Sequence, residues 1–217
     1  MSGGAYEFSG LGLSPIRPGQ TVLVTGRGPT ASALARRLTL AGQDDGEGSI
    51  FVSTRTTARS LLSDFEATDP AVNLDHVGVV DATGRAERDL DTPALLKSVN
   101  STGDLTGISI GLSVLTTGLN KRNVDRIRTC IDSLSLLLLY AEFRTIVRFV
   151  HALRGRIDVS NGLGVVVLDE SMHDPQVLFA LESICDGRIE VRREPGGFEL
   201  RTEGLPNQPT EWQPVDL

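Results

Sequence analysis

The chain has 217 residues, 40% of them hydrophobic and 23% charged, with a formal net charge of -7. That balance supports a full core without disulfide staples and excludes a disordered chain, and no apolar run approaches the roughly 18–20 residues a membrane span needs. An acidic surface lacks the positive field that drives generic binding to phosphate backbones, so nucleic acid is disfavoured as a partner. Cys130 and Cys185 lie in apolar contexts and no basic stretch followed by an apolar one opens the chain, which reads as cytoplasmic with reduced thiols. Lysine occurs only at Lys97 and Lys121. Arginine therefore carries nearly all the positive charge, a mix that suits a salt-adapted or GC-rich source.

Residues 1–19 read as an irregular lead-in ending in the turn Arg17-Pro18-Gly19. Thr21 to Thr25 is an apolar strand, Gly26-Arg27-Gly28-Pro29 a glycine turn, and Thr30 to Ala41 a helix with Ala31, Leu34, Ala35 and Leu38 at i, i+3, i+4 and i+7. After the acidic loop Gln43 to Gly48 come a strand at Ser49 to Ser53, a helix at Thr57 to Phe65 and a strand at His76 to Asp81. Asp81 to Thr92 reads as a charged surface connection, and Leu105 to Leu119 as a helix. Arg126 to Ile131 is the next strand, ending at Asp132, and Ser133 to Arg154 is the longest helical pattern. Leu163 to Leu168 is a strand ending at Asp169, Pro175 to Cys185 a short helix, and Arg188 to Arg193 with Phe198 to Thr202 a hairpin around Pro195-Gly196-Gly197. Residues 205–217 form a Pro-containing tail over the surface. Unbroken apolar strands separated by helices predict an α/β fold: a mostly parallel sheet covered by helices on both faces and closed by a C-terminal antiparallel hairpin, in a single domain.

Ligands of such sheets bind at the carboxyl ends of the strands. The first of these ends supports two readings. As a phosphate-binding loop, Gly26 to Ala33 has the length of G-x-x-x-x-G-K-[ST], but Ala31 stands for the second glycine, Ser32 for the lysine and Ala33 for the Mg²⁺-binding hydroxyl. Helix N-terminal N–H groups survive those changes and favour an anion by roughly 0.3–1 kcal/mol. As a dinucleotide fingerprint, Gly26-x-Gly28-x-x-Ala31 is intact; Arg55, where a ribose-binding acid belongs, fits an NADP 2′-phosphate instead.

The strand Val124 to Asp132 followed by Ser133-Leu134-Ser135, with the opening Leu11 to Thr25 stretch, resembles the RecA/KaiC-like P-loop ATPases, and more narrowly the RecA-like proteins of salt-loving archaea. Gly103-Asp104-Leu105-Thr106-Gly107-Ile108, Tyr140-Ala141-Glu142-Phe143-Arg144, Arg148-Phe149-Val150-His151 and Asp186-Gly187-Arg188-Ile189 extend the likeness over roughly residues 10–212. The resemblance implies a single RecA-like domain over residues 1–217, with Asp132 as the acid that orients Mg²⁺ through water. It also implies that Arg55 and Thr56 stand where the family carries the glutamates that polarise the attacking water. Phosphate clamp, metal ligand and general base are then all missing. The resulting expectation is a degenerate, non-hydrolytic regulatory or scaffold protein that works through a protein partner or self-association at its RecA-like edges, with ATP or ADP held weakly, if at all, by Gly26, Arg27, Gly28, Thr30, Ser32 and Asp132. Two enzymatic alternatives stand beside it: an ATPase with Arg27 or Arg36 replacing the lysine, and an NADP-binding oxidoreductase.

Structural readings accompany each residue. The glycines suit a tight turn, and Asp132, Ser133 or Ser135 a helix cap. His151 reads as internally packed. His173, with Asp169, Glu170 and Asp174, reads as a solvated turn before a metal or acid–base site. Arg144 and Arg148, four residues apart, share one helix face, either solvated or docking an acidic partner.

Overall fold

The computed structural model describes residues 4–85 and 90–217. Nine strands form one sheet in the order β4-β3-β2-β5-β6-β1-β7-β8-β9. Seven of them, β1 (Thr21–Gly26), β2 (Gly48–Ser53), β3 (Val77–Asp81), β4 (Leu95–Ser98), β5 (Ile127–Asp132), β6 (Leu163–Asp169) and β7 (Gly187–Glu194), run parallel to one another. The last two, β8 (Gly197–Glu203) and β9 (Gln213–Val215), add antiparallel. The expected mostly parallel α/β sheet with its C-terminal hairpin is what forms.

Alternation along each strand divides the core. Val22, Val24, Phe51, Val165 and Val167 face a layer containing α1 (Thr30–Leu40) and α2 (Ala58–Thr68). Leu23, Ile50, Val52, Val166 and Leu168 face the opposite layer of α3 (Leu105–Asn120), α4 (Leu134–Tyr140), α5 (Phe143–Val159) and α6 (Pro175–Glu182). Both faces are apolar because both are covered. Among the described residues no helix is long and apolar enough to cross a membrane.

Four expectations change. The helical pattern from Ser133 to Arg154 is two helices, because Ala141 and Glu142 take extended backbone between them. One unbroken helix of that length would run about 33 Å against strands of about 23 Å, and the break lets the leucines of α4 and the Ile146, Phe149, Val150, Leu153 and Ile157 stripe of α5 both reach the core. The Asp81 to Thr92 connection, of which residues 86–89 fall outside the described residues, leads into a strand, β4, that its four half-apolar residues did not announce. The tail is not simply draped over the surface, since Gln213–Val215 pairs with β8. The lead-in is also ordered: Tyr6 and Ile16 form a bridge, and Tyr6, Phe8, Leu11 and Ile16 are buried.

Two arginines hold that lead-in, Arg126 just before β5 and Arg128 within it. Arg128 is fully buried; it pairs with the buried Glu47 at 2.6 Å and donates to the carbonyls of Leu38 and Glu7 at 2.9 Å each. Arg126 lies 4.2 Å over the Tyr6 ring and donates to the carbonyls of Gly4 and Ala5. Arg128→Met, which takes the partner from Glu47 Oε2 while Arg126 keeps Oε1 at 2.8 Å, is expected to cost about 3 kcal/mol in urea denaturation, with Glu47→Leu added to it restoring part of the loss.

Burial pushes the Tyr6 hydroxyl from 10.0 up to about 12. Both states hold that proton below pH 10. Between pH 10 and 12 only the unfolded chain releases it, so stability falls as pH rises through that window. The urea midpoint followed over this range checks it, and Tyr6→Phe should flatten the decline.

Candidate functional site at the strand ends

Because β1, β2, β3, β5 and β6 run parallel, their last residues gather at one edge. Gly26 stands in register with Asp169, and Ser53 with both Asp132 and Asp81. The turn after β1 needs its glycines. A Cβ on Gly26 would meet the Val191 carbonyl at 2.6 Å, and Gly28 has φ +61. Helix α1 then starts at Thr30 with no side chain capping its first turn.

Two carboxylates dominate the crevice, and each is engaged by the protein itself. Asp132 accepts from Ser32 Oγ at 2.6 Å through Oδ1, and Arg36 Nε lies 3.6 Å from its Oδ2. Ser32 and Arg36 are one turn apart on α1, so a single helix face delivers both to the end of β5. Arg36 also reaches Asp64 of α2 at 3.6 Å. Asp169 is 6% exposed. Its Oδ2 accepts the Gly28 N–H at 3.1 Å, its Oδ1 accepts from Ser171 N and Oγ, and its own N–H is held by Ser135 Oγ. A chain carboxylate thus occupies an N–H of the loop that would cradle an anion.

Thr54 joins the ends of β2 and β5, its N–H and hydroxyl both donating to the Asp132 carbonyl at 2.9 and 3.0 Å while its hydroxyl accepts the Ser133 N–H. The Asp132–Ser133 peptide is cis. Asp81, buried at the end of β3, accepts from Ala58 N at the start of α2 and from Thr83 N and Oγ1.

Of the sequence-derived set, Gly28, Ser32 and Asp132 converge with Gly26 at this edge, and Thr30 opens α1. Arg27 turns outward, exposed and without a hydrogen bond or ion pair among the described residues, beside a cavity of about 460 Å³ also lined by Ser171, His173, Leu178, Arg188 and Arg201. Arg55 is exposed and Thr56 half-exposed beyond β2. The capping expectation fails: Asp132 faces α1, Ser135 serves Asp169, and the buried Ser133 Oγ makes no hydrogen bond. His151 is exposed rather than packed. Burial lowers the His173 imidazole below its ordinary value against the upward pull of Asp169 and Asp174, and no group of three or more His, Cys, Asp or Glu among the described residues is arranged to hold a metal ion. Cys130 is fully buried and desolvation pushes its thiol up; Cys185 is pushed up to about 12 by the same cause.

Sequence reasoning missed Asp81 and Thr54 and gave Asp169 no contact with the loop. The signal for the acids was present, since Val-Gly-Val-Val-Asp, Arg-Thr-Cys-Ile-Asp and Val-Val-Val-Leu-Asp all end an apolar strand in aspartate. Sheet order disfavours the dinucleotide reading. With β5 and β6 between β1 and β2, the end of β2 lies about 14 Å from the Gly26 loop, and Arg55 cannot serve a ribose bound there.

A family model described as "Family of unknown function (DUF7504)" matches residues 19–191. No curated protein matches the chain in sequence. In three dimensions it is similar to a KaiC-like protein from the hyperthermophilic archaeon Pyrococcus horikoshii OT3, with 17% identity, a TM-score of 0.64, and coverage of 97% of this chain and 90% of that one. At that identity the likeness speaks for fold, and the fold is RecA-like. Asp81→Ala, which leaves the Ala58 N–H without its acceptor, is expected to cost about 1–3 kcal/mol by thermal or urea denaturation.

Proposed function

Since the chain belongs to the family of unknown function DUF7504, its role has to be read from its own strand ends, and we propose a RecA-like protein that does not hydrolyse nucleotide and acts by protein contact as a regulator or scaffold. The observation that carries this reading is the self-satisfied crevice. Ser32, at the position of the missing lysine, donates to Asp132 at 2.6 Å, so the acid that would orient a metal ion is met by the chain itself, and Asp169 stands on Gly28 at 3.1 Å, where a phosphate oxygen would otherwise sit. Transfer of a phosphoryl group rests on positioning and on neutralising the charge that develops. Among the described residues, the one cation paired with Asp132, Arg36, is already shared between Asp132 and Asp64.

The same reading takes residues 1–217 as one RecA-like unit working in the cytoplasm, supported by two cysteines that form no disulfide. ATP or ADP is then at most a weak ligand of Gly26, Arg27, Gly28, Thr30, Ser32 and Asp132. The competing reading, an ATPase with an arginine in place of the lysine, has Arg27 as its candidate, because that guanidinium is uncommitted. Phosphate release from Mg²⁺-ATP separates the two. Wild type and Asp132→Asn are expected to run at the same background, and a rate that Asp132→Asn abolishes refutes the non-hydrolytic reading. A second measurement addresses the loop. Asp169→Asn keeps an oxygen for the Gly28 N–H and removes the charge that repels anions, so calorimetric titration with pyrophosphate should show affinity about tenfold or more above wild type.

A further inference from the structure

The break between α4 and α5 exposes a patch that the strand-end site does not use. Leu139 is 64% exposed, Tyr140 66% and Phe143 37%, and they sit on the last turn of α4 and the first residue of α5. The junction is backed closely by the loop before α3, since a Cβ on Gly103 would lie 3.3 Å from both the Tyr140 Cβ and its carbonyl oxygen. Arg144, next after Phe143, and Arg148, one turn beyond Arg144 on the same face of α5, are exposed. Neither makes an ion pair among the described residues, and Arg148 donates only a long 3.3 Å bond to Thr145. Their neighbours on α5 are committed: Arg154 pairs with Asp186 at 2.6 Å, and Arg156 donates to the Ser109 carbonyl. The acids nearby are Glu142, exposed at the junction, and Asp104, whose carboxylate accepts the Gly107 N–H of α3.

Exposed leucine and aromatics beside unpaired arginines have the composition of interface anchors. On a chain of net charge -7, two guanidinium groups one turn apart that make no ion pair among the described residues are placed to take negative charge from outside. We infer that the α4–α5 junction, Leu139, Tyr140, Phe143, Arg144 and Arg148, docks an acidic amphipathic segment of a partner protein, its apolar side chains on the leucine and aromatics and its carboxylates on the two arginines. Magnitude favours a peptide over a nucleic acid. Two arginines neutralise about two phosphates and release few counterions, too little to hold a polyanion against an otherwise acidic surface. This inference rests on the reading of the chain as an interaction protein and names the surface.

The test uses the full chain and a fluorescent 15-residue helical peptide of alternating leucine and glutamate turns, followed by anisotropy, with a labelled 15-mer of thymidylate in parallel and light scattering of the protein alone. Saturable peptide binding that weakens at least tenfold in Arg144→Glu/Arg148→Glu and again in Leu139→Ser/Tyr140→Ser supports the assignment. It is overturned by peptide binding that is absent or indifferent to both double variants, by tighter binding of the oligonucleotide, or by a dimer that Tyr140→Ser dissolves. All five positions are exposed, and circular dichroism confirms that the variants fold. Phosphate release by the same variants stays at background, so failure at the junction leaves the non-hydrolytic reading intact, and that reading falls only to Asp132-dependent hydrolysis.

Discussion

The contact between Ser32 and Asp132 is the constraint on which the rest of the site turns. It joins the first turn of α1 to the end of β5, and the same helix face carries Arg36 to the second oxygen of that carboxylate. A half-buried acid is stabilised by donors or a cation, and here both come from within the chain. At the end of β6, between β5 and β1, Asp169 accepts from the loop N–H of Gly28 while Ser171 and Ser135 fix its carboxyl and its backbone. The RecA-like fold thus has both carboxylates met internally, and on the proposed non-hydrolytic reading an incoming Mg²⁺-triphosphate must displace these contacts before it can make its own.

The fold was legible where one face or both are apolar. The runs Val22 to Val24, Phe51 to Val52 and Val165 to Leu168 announce covered parallel strands, and Phe198 to Thr202 after Pro195-Gly196-Gly197 announces the hairpin. What escaped was decided by tertiary context. Leu134 to Leu139 and Ile146 to Ile157 share a helical period with no glycine or proline between them, and the break at Ala141-Glu142 arises from packing both stripes onto one sheet. β9 contains Pro214, which argues against a central strand and is tolerated because β9 is the edge.

The site was half legible for the same reason. Local spacing puts Ser32 and Arg36 on one helix face, and each aspartate ends an apolar run. Which strand end meets which helix depends on the order β5-β6-β1, a long-range property that no local pattern contains. That order sets Asp169 beside the Gly26 turn and Asp132 one strand further away, beneath α1. It also carries β2 too far from β1 for Arg55 to act on a ligand at that turn.

A crystal grown with Mg²⁺ and a non-hydrolysable ATP analogue tests the central claim most directly. The account predicts that Ser32 remains on Asp132 and Asp169 on Gly28, with no metal between them. A triphosphate lying in the loop, with Ser32 turned onto a Mg²⁺ ion and a water aligned for attack, would contradict it.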